Sequence, residues 1–451
     1  MKPTSWKTKN RGKVKRKNNT AYLAATKRIK QKTVIMNHFF KEIEAVLLPT
    51  ATQYAPEGTE PKALAHQWIH ALAYGFTPFA VKRGANKNKL IGILKKAQLY
   101  TDAASFKSKL PVTPIKPPKE STFTFIDLFA GVGGMRIGFQ KAGGTCVFSS
   151  EIEKNAQATY AENHGDYPFG DITKISVADI PDHDVLVAGF PCQPFSHAGL
   201  KKGIGDTRGT LFHNIANILK EKKPKVALLE NVKGLISHDK GYTLQVILQT
   251  LIDMGYSCNI NKEIITNGTP KELQAEVKKM VLKSVDFGVP QNRQRIYIVL
   301  WRGQMAKKFS YPVATHSHTR VGSILEVNPD PKYTISDRLW EGHERRKVNN
   351  ANNGKGFGYG LVTEDSPYTN TISARYYKDG SEILIKQDGK NPRKLTPREA
   401  ARLQGFPDSF VCSKSEVQAY KQFGNSVSVP VIFSIAKLIT DQLLKGKNES
   451  A

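Results

Sequence analysis

The spacing of apolar residues changes near residue 120. From residue 34 to 110 apolar side chains recur with helical periodicity, as between Ile35 and Leu47, and again in ALAHQWIHALAYGF and KLIGILKKAQLY. Residues 109–120 then contain four prolines in twelve positions, a composition typical of a stiff linker. The N-terminal part therefore predicts a small helical domain that is joined by a linker to the rest.

Short apolar runs alternate with helical patterns after the linker. The strand-like runs are FTFIDLF, TCVFSSE, HDVLVAGF, KVALLEN and RIYIVLW, and helical patterns such as NAQATYAENH, TLFHNIANILKEKK and TLQVILQTLIDMG lie between them. Continuous apolar strands between helices indicate a sheet that is covered on both faces. We therefore predict a doubly wound, mostly parallel α/β fold.

This alternation fades between residues 303 and 392, where NNANNGKGFGYG and TISARYYKDGSEILI favour a small, loop-rich, partly β domain. It returns in LTPREAARLQGF and SVPVIFSIAKLITDQLL. We expect a flexible basic arm at residues 1–33, followed by a helical domain with its linker at 34–120. The α/β domain then occupies residues 121–302 and the loop-rich domain residues 303–392. A last segment, 393–451, returns to the α/β domain.

The chain is strongly basic, with a net charge of +28. Residues 1–120 contain 24 basic and 6 acidic side chains, and the remainder still has an excess of ten basic ones. A basic run alone is most often a solvated tail. A basic body together with a basic tail favours nucleic acid, because phosphate neutralisation releases counterions.

Other composition features narrow the class of protein. The four cysteines are far apart and form no CxxC pair, which argues against a zinc site or a disulfide framework and for a reducing compartment. No apolar run approaches the roughly 20 residues of a membrane helix, and the basic N-terminus has no apolar signal core. We expect a cytoplasmic protein without a metal or a membrane contact.

The segment FIDLFAGVGG places a glycine-rich turn between a strand and a helix, where a backbone can approach an electron-rich ligand. Alone it equally fits a plain tight turn, and it is neither GxGxxG nor a P-loop. Glu151 ends the next strand, and Asp171 follows another apolar run. Such carboxylates bind ribose hydroxyls or simply cap helices. Together with the turn they suit a nucleoside without phosphates, such as S-adenosylmethionine.

Candidate reacting groups follow the next strands. In GFPCQPFS, two prolines flank Cys192 at a strand end and fix its turn. A lone cysteine there would more often be buried and inert. Glu230, at the end of VALLENV, pairs this nucleophile with an acid. In QNRQR, Arg293 and Arg295 alternate on one side, where they bind phosphate or a base carbonyl or remain solvated at the strand end.

The motifs FIDLFAGVGG, GFPCQPFS, LLENV, QNRQR, LTPREAARLQGFP and QFGNSVSVPV, in this order, resemble the C5-cytosine DNA methyltransferases. The resemblance covers residues 121–302 and 393–440 and is nearest to bacterial methylases of CCGG, CCNGG and CCWGG sites. It implies a Rossmann-like S-adenosylmethionine-dependent catalytic domain. GKGFGYG and TISARYYKDGSEILI look like the target-recognition domain of CCWGG methylases, which assigns that role to residues 303–392.

The resemblance also implies a mechanism. The target cytosine is flipped out of the duplex, Cys192 attacks its C6, and Glu230 binds N3 and the exocyclic amine. C5 then takes the methyl group of S-adenosylmethionine, a base removes the C5 proton, and Cys192 leaves. Arg293 and Arg295 support the site, with Arg295 on the cytosine O2 side.

By the same resemblance, residues are assigned to the cofactor and to DNA. The cofactor would contact Phe129, Gly131, Gly133, Glu151, Ile152, Asp171, Ile172, Pro191, Asn425 and Ser426. DNA would contact Gln193, Ser196, Arg208, Arg375 and Tyr376. Asn231 and Val232 would brace the proline–cysteine turn, and residues 196–209 resemble the family's loop that closes on DNA.

The implied protein is a monomeric, nucleoid-associated modification enzyme that acts on double-stranded DNA beside a cognate restriction endonuclease. Two alternatives remain. One is an RNA methylase, although the tRNA-methylating branch usually has a proline where Phe190 stands and a CFT stretch that is absent here. The other is a DNA-binding regulator, since some relatives carry N-terminal helix-turn-helix repressor domains. A nonspecific DNA-holding arm is the favoured role for residues 1–120.

Overall fold

The computed structural model describes residues 35–191, 211–303, 308–315, 318–356 and 358–444. Its central sheet has seven strands in the order β2-β1-β3-β4-β7-β5, with β6 also paired to β7. The strands are β1 Phe123–Leu128, β2 Gly144–Ser150, β3 Val185–Gly189, β4 Val226–Val232, β5 Tyr256–Ser257, β6 Val281–Lys283 and β7 Gln294–Arg302.

Strands β1 to β4 are parallel, and β7 runs antiparallel to β4, β5 and β6. The carboxyl ends of the four parallel strands therefore meet at one edge of the sheet. The predicted mostly parallel, Rossmann-like architecture is confirmed. The apolar runs are continuous because the sheet is buried on both faces.

Helices cover both faces. In chain order they are α1 at 35–54, α2 Pro61–Tyr74, α3 Lys87–Lys96, α4 Ala103–Ser108, α5 Gly134–Lys141, α6 Lys154–His164, α7 Leu211–Lys222, α8 Tyr242–Asp253, α9 Lys262–Thr266, α10 Pro270–Val277, α11 Asp337–Asn352, α12 Pro397–Leu403, α13 Glu416–Asn425 and α14 Val429–Ile439. Neighbouring strand residues face opposite cores: Leu186 packs with α7 and α8, whereas Val187 packs with α5 and α14.

The N-terminal helices share a core with the sheet. Trp68 and Phe79 belong to the same buried cluster as Phe148 of β2 and Phe169 of the following loop. Residues 35–110 therefore pack against the outer edge of the α/β domain, beside β2. We call residues 35–110 the N-terminal extension.

The segment between β7 and α12 contains α11 and a three-stranded sheet. Its strands are β8 Leu361–Val362, β9 Leu384–Gln387 and β10 Lys390–Arg393. SARYYKDG forms turns that precede β9, and most of NNANN lies in the last turns of α11. The segment predicted to be loop-rich therefore also contains one long helix, α11.

One helical stretch among the described residues, Glu416–Leu444, is long and apolar enough to cross a membrane by length and composition alone. More than half of its most apolar window, 56%, is buried inside the protein. Its second half, α14, packs in the core against α5, where Gly138 leaves no room for a side chain beside Ile432. This packing is typical of a core helix.

Candidate active site

A cavity of about 580 Å³ lies at the carboxyl edge of the parallel strands, where α13 and the two residues after it form part of its lining. Ligands bind at this edge in open α/β sheets. Ten of the predicted site residues line it: Phe129, Gly131, Glu151, Ile152, Pro191, Glu230, Arg293, Arg295, Asn425 and Ser426. The structure thus brings together residues from widely separated motifs.

Other predicted residues lie elsewhere. Gly133 is the N-cap residue just before α5 and has φ 87°, and a side chain there would collide with the imidazole of His164. The carboxylate of Asp171 accepts a hydrogen bond from the Thr173 amide, and Ile172 is buried in the hydrophobic core. None of the three predicted contacts lines this cavity. Their role in cofactor binding stays a prediction.

The predicted nucleophile follows an anchored turn. The Asn231 side chain donates a hydrogen bond of 2.9 Å to the carbonyl of Phe190 and accepts one of 2.8 Å from the Val232 amide. β4 therefore holds the chain at Pro191, the residue before Cys192. Cys192, Gln193, Ser196 and Arg208, together with the predicted loop 196–209, lie outside the described residues.

Glu230, the predicted acid, is one of the acidic residues that line the cavity. Its side chain is at the end of β4 and the residue is 8% exposed, with Oε1 3.2 Å from Nε of Arg295. Burial raises the pKa of the Glu230 carboxyl, and the charges of Arg295 and Arg293 oppose that rise. A carboxyl with a raised pKa can remain protonated and donate a hydrogen bond or a proton.

The guanidinium group of Arg293 is hydrogen-bonded to backbone carbonyls of other segments. Its guanidinium donates to the carbonyls of Ile372, Gly424 and Ser426, at 3.5, 3.4 and 2.7 Å. The side chain is buried, and burial lowers its pKa to about 10. Arg293 thus connects the segment 318–393 to the wall of the cavity, and the geometry gives it a positioning role.

The opposite end of the cavity is formed by Glu151 and the glycine turn. The Glu151 carboxylate accepts hydrogen bonds of 2.8 Å from the amides of Gly131 and Glu153. Burial raises its pKa, and these two amides oppose the rise. The turn itself needs left-handed backbone at Phe129, φ 57°, and at Gly131, φ 56°. A carboxylate beside a close-approach turn fits a ribose, and the cavity volume fits a drug-sized ligand.

One predicted DNA contact is corrected. Tyr376 is 0% exposed, and its hydroxyl donates to the carbonyl of Ile383 and accepts from the amide of Leu395. It is a core residue and cannot reach DNA, so the prediction for Tyr376 is wrong. The neighbouring Arg375 is exposed on the same turn.

The sequence patterns missed several residues that line the cavity: Asp127, Met135, Gln418, Lys421 and Gln422. Burial raises the pKa of Asp127 to about 7, partly opposed by Arg136. A single acid inside the apolar run FTFIDLF was the available signal for Asp127. The amide of Gln422 donates to the Asn155 carbonyl and to the Thr159 hydroxyl, which ties α13 to α6.

Comparison with known proteins agrees with this geometry. Residues 123–441 match the family model described as C-5 cytosine-specific DNA methylase. The chain belongs to this family. The predicted resemblance and enzyme class are therefore confirmed: the protein is a DNA (cytosine-5-)-methyltransferase. The match begins at Phe123, so the N-terminal extension lies outside it.

Similar curated proteins are type II methyltransferases. The methyltransferase is 56% identical to M.SsoII of Shigella sonnei over 74% of this chain and 84% of that protein. It is 60% identical to M.NlaX of Neisseria lactamica over 70% and 95%, respectively. Among solved structures, the Entamoeba histolytica methyltransferase EhMeth aligns with a TM-score of 0.56 at 19% identity, over 72% of this chain and 99% of that one. This last likeness concerns the fold.

Proposed function

We propose that this methyltransferase transfers a methyl group from S-adenosylmethionine to C5 of a cytosine flipped out of duplex DNA. The observation that carries the proposal is the buried Glu230–Arg295 pair in one cavity with Glu151 and the glycine turn. An acid whose pKa is raised by burial suits a base at one end of the cavity, and a carboxylate beside the glycine turn suits a ribose at the other.

Phe129, Gly131, Glu151, Asn425 and Ser426 would hold the cofactor, because they line the end of the cavity beside the glycine turn. When bound, S-adenosylmethionine supplies an electrophilic methyl group. The hydrogen bonds that the Glu151 carboxylate accepts from backbone amides fix it toward the turn.

Two side chains activate the target cytosine. The Cys192 thiolate forms a bond to C6 while protonated Glu230 hydrogen-bonds N3, which makes C5 electron-rich. After C5 gains the methyl group, a base removes the C5 proton and the electrons of that C–H bond restore the ring double bond. The Cys192–C6 bond breaks and the thiolate leaves. Arg295 holds Glu230 in place and lies on the O2 side of the base.

The substrate is a short palindromic DNA site of the CCNGG or CCWGG kind, and the enzyme protects that site from a cognate endonuclease as a cytoplasmic, nucleoid-associated monomer. The type II relatives and the sequence motifs of residues 303–392 support this assignment. Bisulfite sequencing of DNA from expressing cells tests it. Methylation at GGCC-like or GATC-like sites would contradict the proposed recognition sequence. In vitro transfer to tRNA but not to duplex DNA would contradict duplex DNA as the substrate.

Glu151→Ala is expected to weaken S-adenosylmethionine binding by about 1–3 kcal/mol, because cofactor hydroxyls would lose their acceptor. Titration calorimetry measures the change. Glu162→Ala, which removes an exposed carboxylate from α6, is the control and should bind as the wild type does. Equal affinity of the Glu151→Ala and wild-type proteins would refute the cofactor assignment.

Arg375→Ala is expected to lose about 1–3 kcal/mol on the cognate site and to relax specificity at one base pair, because an arginine can bind guanine O6 and N7 together. Competition binding on single-substituted duplexes measures both effects. Lys378→Ala, on the same turn, is the control for loss of charge. Equal weakening on cognate and noncognate DNA with a smaller salt dependence would instead indicate a phosphate contact.

A further inference from the structure

We propose that the N-terminal extension, which precedes the family match, positions the cofactor end of the active site through Thr59 and Gln67. The inference rests on the proposed function, since it assumes that Glu151 binds the cofactor. It assigns to the extension a part in cofactor binding that is distinct from holding DNA.

Gln67 supports β2, the outer strand of the sheet. The register between β1 and β2 shifts at Val147, because Phe125 pairs with Cys146 and Ile126 with Phe148. The buried Gln67 amide donates a hydrogen bond of 3.1 Å to the Val147 carbonyl. An unpaired carbonyl buried at a strand irregularity would cost stability, so the extension completes the edge of the sheet.

The same side chain fixes the extension itself. The Gln67 amide oxygen accepts a hydrogen bond of 2.8 Å from the Phe79 amide. The Phe79 ring then packs 4.5 Å from the ring of Phe169 and 6.0 Å from that of Phe148. All three rings are buried, so the contact between the extension and the loop after α6 is closely packed.

Thr59 connects this contact to the active site. Its hydroxyl accepts a hydrogen bond of 3.2 Å from the Gly170 amide. The backbones are so close that a side chain at Gly170 would collide with the Gly58 carbonyl. The preceding residue, Phe169, accepts a hydrogen bond of 2.8 Å from the Glu151 amide.

A short path therefore runs from the extension to the cofactor. Thr59 holds Gly170, Phe169 holds the backbone of Glu151, and the Glu151 carboxylate accepts from the Gly131 amide in the glycine turn. Thr59 contacts none of the reacting atoms and acts through Glu151. Loss of its hydroxyl should loosen the cofactor end of the site and leave the cysteine end unchanged.

Thr59→Val in the full-length protein tests the inference, because valine keeps the shape and removes the hydroxyl. We expect the Kd and the KM for S-adenosylmethionine to rise about three- to tenfold with kcat at saturation unchanged, as for the loss of one hydrogen bond that acts on binding. Thr59→Ser restores the hydroxyl and should restore the affinity.

Arg83→Gln is the matched control. Arg83 joins the extension to Asp179, at 2.7 Å, in the segment that leads to β3 and apart from the path to Glu151. The Arg83→Gln substitution should lower the melting temperature of the protein without changing its affinity for S-adenosylmethionine. Wild-type affinity of Thr59→Val, or equal weakening by Arg83→Gln, would overturn the inference. Absence of cofactor binding by the wild-type protein would instead overturn the proposed function.

Discussion

Replacing Cys192 with alanine is expected to abolish methyl transfer, with a loss of at least about 10³-fold in kcat, while duplex DNA binding persists. The reason is that only a thiolate can attack C6, whereas the binding surfaces lie on other residues. The turn that leads to this cysteine is anchored by Asn231, and Pro191 lines the cavity. A filter assay with tritiated cofactor measures transfer, and a gel-shift assay measures binding.

The other cysteines provide controls. Burial raises the pKa of Cys146 to about 12 and raises that of Cys258, so both thiols remain protonated and inert. Cys258→Ala should therefore retain wild-type transfer. Activity of Cys192→Ala comparable to that of Cys258→Ala would contradict a mechanism in which Cys192 is the nucleophile.

Glu230→Gln is expected to lower kcat by about 10²- to 10⁴-fold, the usual contribution of a positioned general acid, while cofactor affinity is kept. Glutamine retains the shape and can hydrogen-bond but cannot supply a proton. The wild-type rate should fall as the pH rises through the elevated pKa of Glu230, because ionisation removes the active form. The variant should lack this limb of the pH profile.

The contribution of Glu230 to the stability of the folded protein should also decrease as the pH rises. A carboxyl whose pKa is higher in the folded than in the unfolded state contributes stability below its unfolded pKa, and this is lost as the pH rises through the folded value. The unfolding free energy of Glu230→Gln should thus fall less with rising pH than that of the wild type. Glu263→Gln, at an exposed glutamate, is the control. A wild-type rate and pH profile for Glu230→Gln would contradict its role as the acid.

Much of this site could be predicted from the sequence because parallel strands end at a common edge. Glu151 and Glu230 each end an apolar run, so the fold class alone placed both at that edge. Arg293 shows the limit of the argument. The alternation of Arg293 and Arg295 predicted one shared face, but β7 begins at Gln294, and Arg293 instead binds carbonyls from distant segments.

Two further features depend on tertiary partners that spacing does not encode. An aromatic residue in a turn fits either a contact surface or a core, and the choice for Tyr376 is made by Ile383 and Leu395. The helices of the extension could be predicted from periodicity. Their attachment to β2 could not, since it depends on Gln67 and the Val147 carbonyl, eighty residues apart in the sequence.

The central claim is that Cys192 bonds covalently to the cytosine that is methylated. A duplex with 5-fluorocytosine at the mapped target, incubated with the wild-type protein and S-adenosylmethionine, tests it directly, because fluorine cannot leave C5 as a proton does. We expect a denaturation-resistant protein–DNA adduct that maps to the peptide of Cys192 and is absent from Cys192→Ala. No adduct from wild-type protein that methylates the matching cytosine duplex, or an adduct at another residue, would contradict the mechanism.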